Sequence, residues 1–375
     1  MEKDPTMPIP EQRDLEATRG ILAGWLAGNL GVDRVEVGPI QGPALTGFSN
    51  ETLLFDATYT RRGREVTEGF VVRVKPTVHT VFLESDFEWQ YQVLDLLGSK
   101  TDVPVPVVRG LEADASYLGA PFFLMERIDG SRVPADSPPY TVAGWVHDDA
   151  TPEQRRTLVE SGLDNLVKIH ALDWRALGFD FLDKPQYGSL GIEQQIRYYD
   201  AAYEWAAEGE EQPITGAALE WIHAYAPAVD PEITLCWGDA RINNQLFDDS
   251  YHVRAVLDWE MVTLADPMMD LGWWLFLDRH FHEGAGRDRL EGFPTREEMV
   301  AYYESKSRRA ARDLEFYEVF AGLRFAVVML RIKSLLVEFE LMPLDSDMGR
   351  NNIVTHVVAD LLGLPKPGEL SLSWA

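Results

Sequence analysis

The periodicity of this sequence changes once, near Asp129-Gly130, and that change limits the chain to a two-part architecture. Before it, from about residue 33, short β-branched and aromatic runs are punctuated by Gly and Pro: Thr52 to Tyr59, Gly69 to Val74, Val105 to Val108 and Pro121 to Ile128. One stretch, Val81 to Leu97, holds neither Gly nor Pro and reads as a helix inserted after the third strand or so. Ahead of the strands, Leu15, Ile21, Leu22, Trp25, Leu26 and Leu30 follow helical spacing. After Asp129-Gly130 the spacing is mainly helical. Thr151-Pro152-Glu153-Gln154 offers a cap residue, a proline at the first helical position and a Gln three residues after the cap. Long helical patterns recur from Glu193 to Glu208 and from Asp313 to Leu341. The expectation is an α+β chain in three parts. Residues 1–32 form a helical segment, 33–128 a lobe built on a small antiparallel sheet, and 129–375 a larger helical lobe. Ligands usually sit in the cleft between two such lobes.

Charge narrows the partners. Thirty-four basic against 61 acidic residues leave a net charge of −27, and such a surface repels a phosphate backbone. Nucleic acid is therefore excluded as a partner, while a cationic small molecule would be attracted; acidity also serves plain solubility. The single cysteine, Cys236, lies in the apolar run Ile233-Thr234-Leu235-Cys236-Trp237 and reads as an inert core thiol. One cysteine allows no internal disulfide and fits a reducing compartment. The first ten residues carry acids and prolines where a signal peptide needs an apolar run, and Phe325 to Leu330 is cut short by Arg331 and Lys333. No membrane span fits, and a cytoplasmic protein is expected. Oligomeric state is not legible.

One β island breaks the helical region, from Ile233 to Trp259, and it carries the chemistry. A strand ends at Trp237-Gly238-Asp239; a second begins near Gln245, turns through Asp249-Ser250-Tyr251-His252, and a third runs from Val253 to Leu257. Antiparallel pairing about that turn makes partner numbers sum to about 501. Asn244 then faces Leu257, and Asp258 returns to the Asn243-Asn244 end. Two oxygen ligands beside a separate carboxylate suit phosphoryl transfer: magnesium takes hard oxygen ligands, and the other carboxylate can accept a hydroxyl proton. Arg241, two residues beyond Asp239, is placed to neutralise charge on a transferred phosphoryl group.

The spacing Asp239-x4-Asn244, followed by Asp258-Trp259-Glu260, resembles the catalytic and metal-binding segments of aminoglycoside phosphotransferases and choline kinases, relatives of the protein kinases. Ala265-Asp266-Pro267-Met268-Met269-Asp270-Leu271 is similar to that family's Gly-Asp-Pro-x-x-Asp-Leu element. The resemblance implies a protein-kinase-like fold, ATP and Mg2+ as cofactors, Asp239 as base, Asn244 and Asp258 on the metal, and Asp270 bracing the catalytic loop. It further implies a phosphate-covering loop at Leu45-Thr46-Gly47-Phe48-Ser49-Asn50, with Gly47, Phe48, Ser49 and Asn50 toward the nucleotide. Arg73 would pair with phosphate from the third strand, and hinge groups of Glu126 and Ile128 would meet adenine. His170 precedes the island and reads as a satisfied core residue.

Two positions depart from the family pattern. Trp237 stands where a histidine is usual; its ring can fill space while its indole N–H donates. Gln90 falls where the inserted helix should carry a glutamate for Arg73, and it can offer a hydrogen bond but no ion pair. The expected activity is transfer of the γ-phosphoryl group of ATP to a hydroxyl of a small molecule, aminoglycoside-like or an amino alcohol. A hydroxyacyl-CoA-type acceptor is the alternative, because the wording around Asp258-Trp259-Glu260 is similar to kinase domains fused to acyl-CoA dehydrogenases. For that acceptor Arg308, Arg309, Arg312, Arg324, Arg331 and Lys333 would supply local positive charge. A non-catalytic pseudokinase is the rival from another class, supported by Trp237 and Gln90. The paired tryptophans Trp273-Trp274 and the methionines Met268-Met269 read as core, and His280-Phe281-His282 does not have metal-site spacing.

Overall fold

The computed structural model describes residues 13–42, 51–76, 80–84, 87–228 and 232–370. Helix α1 (Leu15–Leu30) starts at Asp14, whose carboxylate accepts from the N–H groups of Glu16 and Ala17, and stops at Gly31 with φ of 65°. Strands β1 (Val35–Val37), β2 (Glu51–Arg61) and β3 (Arg64–Val74) follow. The β2–β3 turn places Arg62 and Gly63 at positive φ, the geometry that matches strand twist in a two-residue hairpin. Helix α2 (Phe87–Lys100), β4 (Val108–Glu112) and β5 (Phe122–Glu126) complete the first lobe. Its strands form one antiparallel sheet ordered β1-β2-β3-β5-β4.

Alternation in β2 buries Leu53, Phe55, Ala57 and Tyr59 on one face. These join Leu22, Trp25 and Leu26 of α1 in a core of their own. The opposite face, through Phe123, packs on Phe87 of α2 at 5.1 Å between ring centroids. That second core continues without a break into the helical lobe.

Two expected elements of this lobe differ. The helix begins at Phe87 rather than Val81; residues 81–84 are bends, and Glu84 reaches across to Lys184 at 2.8 Å and the Tyr187 hydroxyl at 2.8 Å. The segment serves as a tie to the other lobe. The strand expected from Val105 begins at Val108, because Pro104 and Pro106 supply no ladder N–H.

In the second lobe α3 (Trp145–Asp148) precedes α4 (Pro152–His170), which opens with a complete Thr151/Gln154 capping box. Then come α5 (Trp174–Leu177), α6 (Ile192–Ala207) and α7 (Pro213–Tyr225). The β island supplies β6 (Thr234–Cys236), β7 (Gln245–Phe247), β8 (Val253–Val256) and β9 (Thr263–Ala265), and the chain ends in α8 (Met268–Arg279), α9 (Arg296–Ser307), α10 (Leu314–Glu338) and α11 (Ile353–Leu362). The central α10 packs against α6, α7, α8 and α11. Among the described residues no helix is long and apolar enough to cross a membrane.

Candidate active site

The island folds back as its spacing predicts. Gln245 pairs with Val256 and Leu246 with Ala255, both sums being 501, and a bulge at Phe247 shifts the register by one. Beyond the ladder the Leu257 N–H donates to the Asn244 carbonyl at 2.8 Å, which returns Asp258 to the asparagine end. The first strand takes a different partner: β6 pairs with β9, not with the hairpin. Phe247 also exchanges both backbone bonds with Arg132 at 2.9 and 3.0 Å, stapling the interlobe linker to the hairpin.

The turn leading into Asp239 depends on Gly238. Its φ is +92°, and a Cβ there would lie 2.0 Å from the Met261 carbonyl oxygen, so no side chain is tolerated. From the first turn of α8, Asp270 accepts the N–H of Trp237 at 2.6 Å and of Gly238 at 2.8 Å. It also meets His170 Nε2 at 3.1 Å. His170 holds Tyr303 on its other ring nitrogen at 2.8 Å and is 1% exposed, a satisfied core histidine. Trp237 donates its indole N–H to the carbonyls of Leu257 at 2.8 Å and Asp258 at 3.2 Å. It thereby ties the loop of Asp239 to the segment of Asp258.

Around Asp239 three donors converge. Oδ2 accepts from Asn244 Nδ2 at 2.7 Å and Arg241 Nε at 3.2 Å, and Oδ1 accepts from Trp273 Nε1 at 2.8 Å. Arg241 also bonds Asp136 at 2.6 Å. Burial opposes its charge, but the carboxylates of Asp239 and Asp136 outweigh that and hold its pKa above the ordinary arginine value. Asp258 stands in contrast. It has φ of 60°, an uncommon conformation for which aspartate is among the favoured residues. Its Oδ1 is buried and accepts no hydrogen bond. Burial raises its pKa above the usual aspartate range, Arg73 pulls the other way, and the nearby charge of Asp239 reinforces the rise.

Arg73 crosses the cleft. Its guanidinium meets Glu260 at 2.7 Å and lies 4.0 Å from Asp258 Oδ1. Arg73 thus makes its ion pair with the Asp258-Trp259-Glu260 segment, where Gln90 on the inserted helix could offer none. Gln90 is buried on α2 at 7% exposure. At the hinge, the Glu126 N–H is committed to the Val107 carbonyl at 2.9 Å, and the Ile128 carbonyl accepts from Ser131 Oγ at 2.6 Å. Gly47, Phe48, Ser49 and Asn50 lie outside the described residues.

The expected basic cluster does not form. Arg309 pairs with Glu232 at 2.7 Å, Arg331 with Glu208 at 2.9 Å, Lys333 with Glu210 at 3.5 Å and Arg312 with Asp266. Arg308 is the left-handed C-cap of α9, and Arg324 is buried under the Trp237–Asn244 loop. Helical spacing alone could not show that four of the six head groups already had an acid within reach. Trp273 is core as expected, at 2% exposure, and in addition supplies a bond to Asp239. A tryptophan in an apolar run carries no sign of that second task.

A two-lobed α+β fold with an aspartate-bearing loop, an adjoining asparagine and a second aspartate returned by a hairpin defines a kinase-like phosphotransferase class. The chain belongs to the phosphotransferase enzyme family (APH), whose sequence profile matches residues 44–304. Among solved structures, it is similar to a Ralstonia eutropha protein provisionally classed as an aminoglycoside phosphotransferase. Identity is 25%, the TM-score 0.67, and 94% of this chain and 99% of that one are covered. Choline kinase LicA from Streptococcus pneumoniae shares the fold with a TM-score of 0.56 at 15% identity, over 92% of this chain and 98% of that one. Curated relatives include mouse acyl-CoA dehydrogenase family member 10, 28% identical over 71% of this chain, and human family member 11, 26% identical over 68%. The chain spans only 23% and 31% of their lengths.

Proposed function

We propose that the protein transfers the γ-phosphoryl group of ATP to a hydroxyl of a small molecule, with Asp239 as base. The observation that carries this reading is the pairing of a fully bonded carboxylate, Asp239, with a buried carboxylate oxygen on Asp258 that has no donor. Arg73, 4.0 Å away, offsets the cost of burying that oxygen only in part, which leaves it costly unless something else binds it. A divalent cation fits that oxygen, and Asn244 would join Asp258 as ligand: its NH2 is spent on Asp239, which turns its side-chain oxygen away from that bond. When bound, such an ion neutralises charge on the nucleotide phosphates.

The residues of the chain perform the remaining steps. Asp239, held by Trp273, Asn244 and Arg241, orients the acceptor hydroxyl and receives its proton. The acceptor oxygen forms a bond to the γ-phosphorus while the bond from that phosphorus to the β–γ bridging oxygen breaks, so ADP leaves with that electron pair. Arg241 and Arg73 bring positive charge to the two sides of the cleft. Ile128 would meet adenine through its backbone N–H, and Glu126 through its carbonyl, since its N–H is already used. Gly47, Phe48, Ser49 and Asn50 would cover the phosphates.

For the acceptor, an aminoglycoside-like or amino-alcohol substrate agrees with the net charge of −27. A second reading, a hydroxylated acyl thioester, is favoured by the names of the curated relatives and by one surface. Phe325 lies 5.8 Å from Trp273 and 5.3 Å from His280 between ring centroids, and Val328, Met329 and Ile332 continue from it half-buried along α10. An aliphatic chain would find apolar contact there. A screen of hydroxylated compounds of both classes for ATP consumption decides between them. Magnesium-dependent ATP binding without turnover on any acceptor, or on water, would instead favour the pseudokinase.

A further inference from the structure

We propose that Trp273 and Arg324 form a positioning pair for Asp239, gripping the base from the helical lobe rather than from its own loop; this rests on the reading of Asp239 as base. Arg324, on α10, is 1% exposed. Its Nη2 donates to the Gly238 carbonyl at 2.9 Å and its Nε to the Tyr199 hydroxyl at 3.2 Å. Among the described residues no carboxylate lies within ion-pair distance of it, and Nη1 has no partner. A buried guanidinium facing only neutral oxygens is an expensive way to fill space, so packing alone does not account for it.

Its position does account for it. The guanidinium carbon lies 4.5 Å from the centre of the Trp273 ring, within cation–π range. The same indole donates to Asp239 Oδ1 at 2.8 Å. Arg324 therefore acts on Asp239 by two routes, directly through the Gly238 carbonyl of the Gly238–Asp239 peptide and indirectly through the α8 ring that holds the carboxylate. Asn244 bonds Oδ2 and Arg241 Nε lies 3.2 Å from both oxygens, but both residues belong to the same short loop as Asp239 and would move with it. The α8–α10 pair supplies an anchor outside that loop. With Oδ1 and Oδ2 both fixed, the carboxylate has one orientation toward an arriving hydroxyl, the condition for effective general-base catalysis.

The test uses the full chain, magnesium-ATP and water as acceptor, with phosphate release as the rate and calorimetric titration of ADP as the binding readout. Trp273→Phe keeps the ring and deletes the N–H. It should lower kcat roughly ten- to a hundredfold, the cost of one bond to a charged group, with the KM for ATP, ADP affinity and Tm little changed. Arg324→Met should lower kcat similarly and Arg324→Lys should restore part of it; should the methionine variant fail to fold, Trp273→Phe and Arg324→Lys still decide. In an Asp239→Asn background Trp273→Phe should have no further effect, because the pair acts through that carboxylate. Wild-type kcat in Trp273→Phe, or losses that add in the Asp239→Asn background, would overturn the proposal. If Asp239→Asn itself turns over normally, the base assignment fails instead, and the two failures are told apart.

Discussion

The loop Trp237–Asn244 and the corner Leu257–Glu260 lie side by side, and the chain equips them in opposite ways. In the loop the carboxylate and its backbone are held: Asp270 takes two backbone N–H groups, and Asp239 takes three side-chain donors. At the corner Asp258 sits in a left-handed conformation with one buried oxygen bare. The loop is finished by the fold, while the corner keeps an oxygen that accepts no hydrogen bond, which is where the proposed cation would bind. A base needs a fixed direction, which bonds confer; a ligand needs an unspent lone pair, which bonds would remove.

Breaking the loop side should give the largest effect. Asp239→Asn should cut turnover by about 10²–10⁴-fold while leaving ADP affinity near wild type, the range for loss of a general base. Phosphate release and calorimetry check it, and undiminished turnover would refute the assignment. Asp270→Ala comes next: it strips a fully buried carboxylate from Trp237, Gly238 and His170, and should destabilise the fold by about 3–5 kcal/mol in denaturant titration. A smaller loss would mean that the loop holds itself.

His280 tests the charge around Arg241. Burial, aided by Arg241, pushes its imidazole down to about 3, so the unfolded chain binds a proton there first as pH falls. Stability is then fully present above pH 6.5 and declines below it, by up to about 2 kcal/mol at pH 5 before solvent screening reduces it. His280→Gln should flatten that part of the stability profile; an unchanged slope would show that the ring charges freely. The smallest effect, and the one that separates the two regions most directly, belongs to Asp258→Asn. Without ligand it should raise the Tm slightly, since a half-buried charge is removed that Arg73, 4.0 Å away, offsets only in part. Added magnesium-ATP should then give little of the further shift seen in the native protein. A lower Tm without ligand would mean that the carboxylate is already satisfied.

Much of this was legible in the sequence where distance along the chain was short. The register of β7 on β8 follows from the turn at Asp249-Ser250-Tyr251-His252, and the α4 cap from Thr151 and Gln154. The role of Asp270 came from resemblance to a family rather than from spacing. What escaped was set by contacts between remote residues. Trp273 reaches Asp239 across 34 positions, and Arg73 meets Glu260 across 187. In the last third, Arg309, Arg312, Arg331 and Lys333 share a cationic spacing in the sequence, but Glu232, Asp266, Glu208 and Glu210 stand opposite them in the fold. The error at Val81 has the same origin. A stretch free of Gly and Pro is only permitted to be helical, and Glu84 is more strongly held by Lys184 and Tyr187.

Helix α2 belongs to the first lobe by its place in the chain and to the second by its packing, since Phe87, Val93, Leu94 and Leu97 share one apolar interior with the helices below. Any opening of the cleft therefore has a built-in seam. The sheet and α1, with an interior of their own, would rock by shearing across the surface where Phe123, Val108, Leu111 and Met125 meet the second core, so the third-strand arginine would travel while the inserted helix stays with the helical lobe.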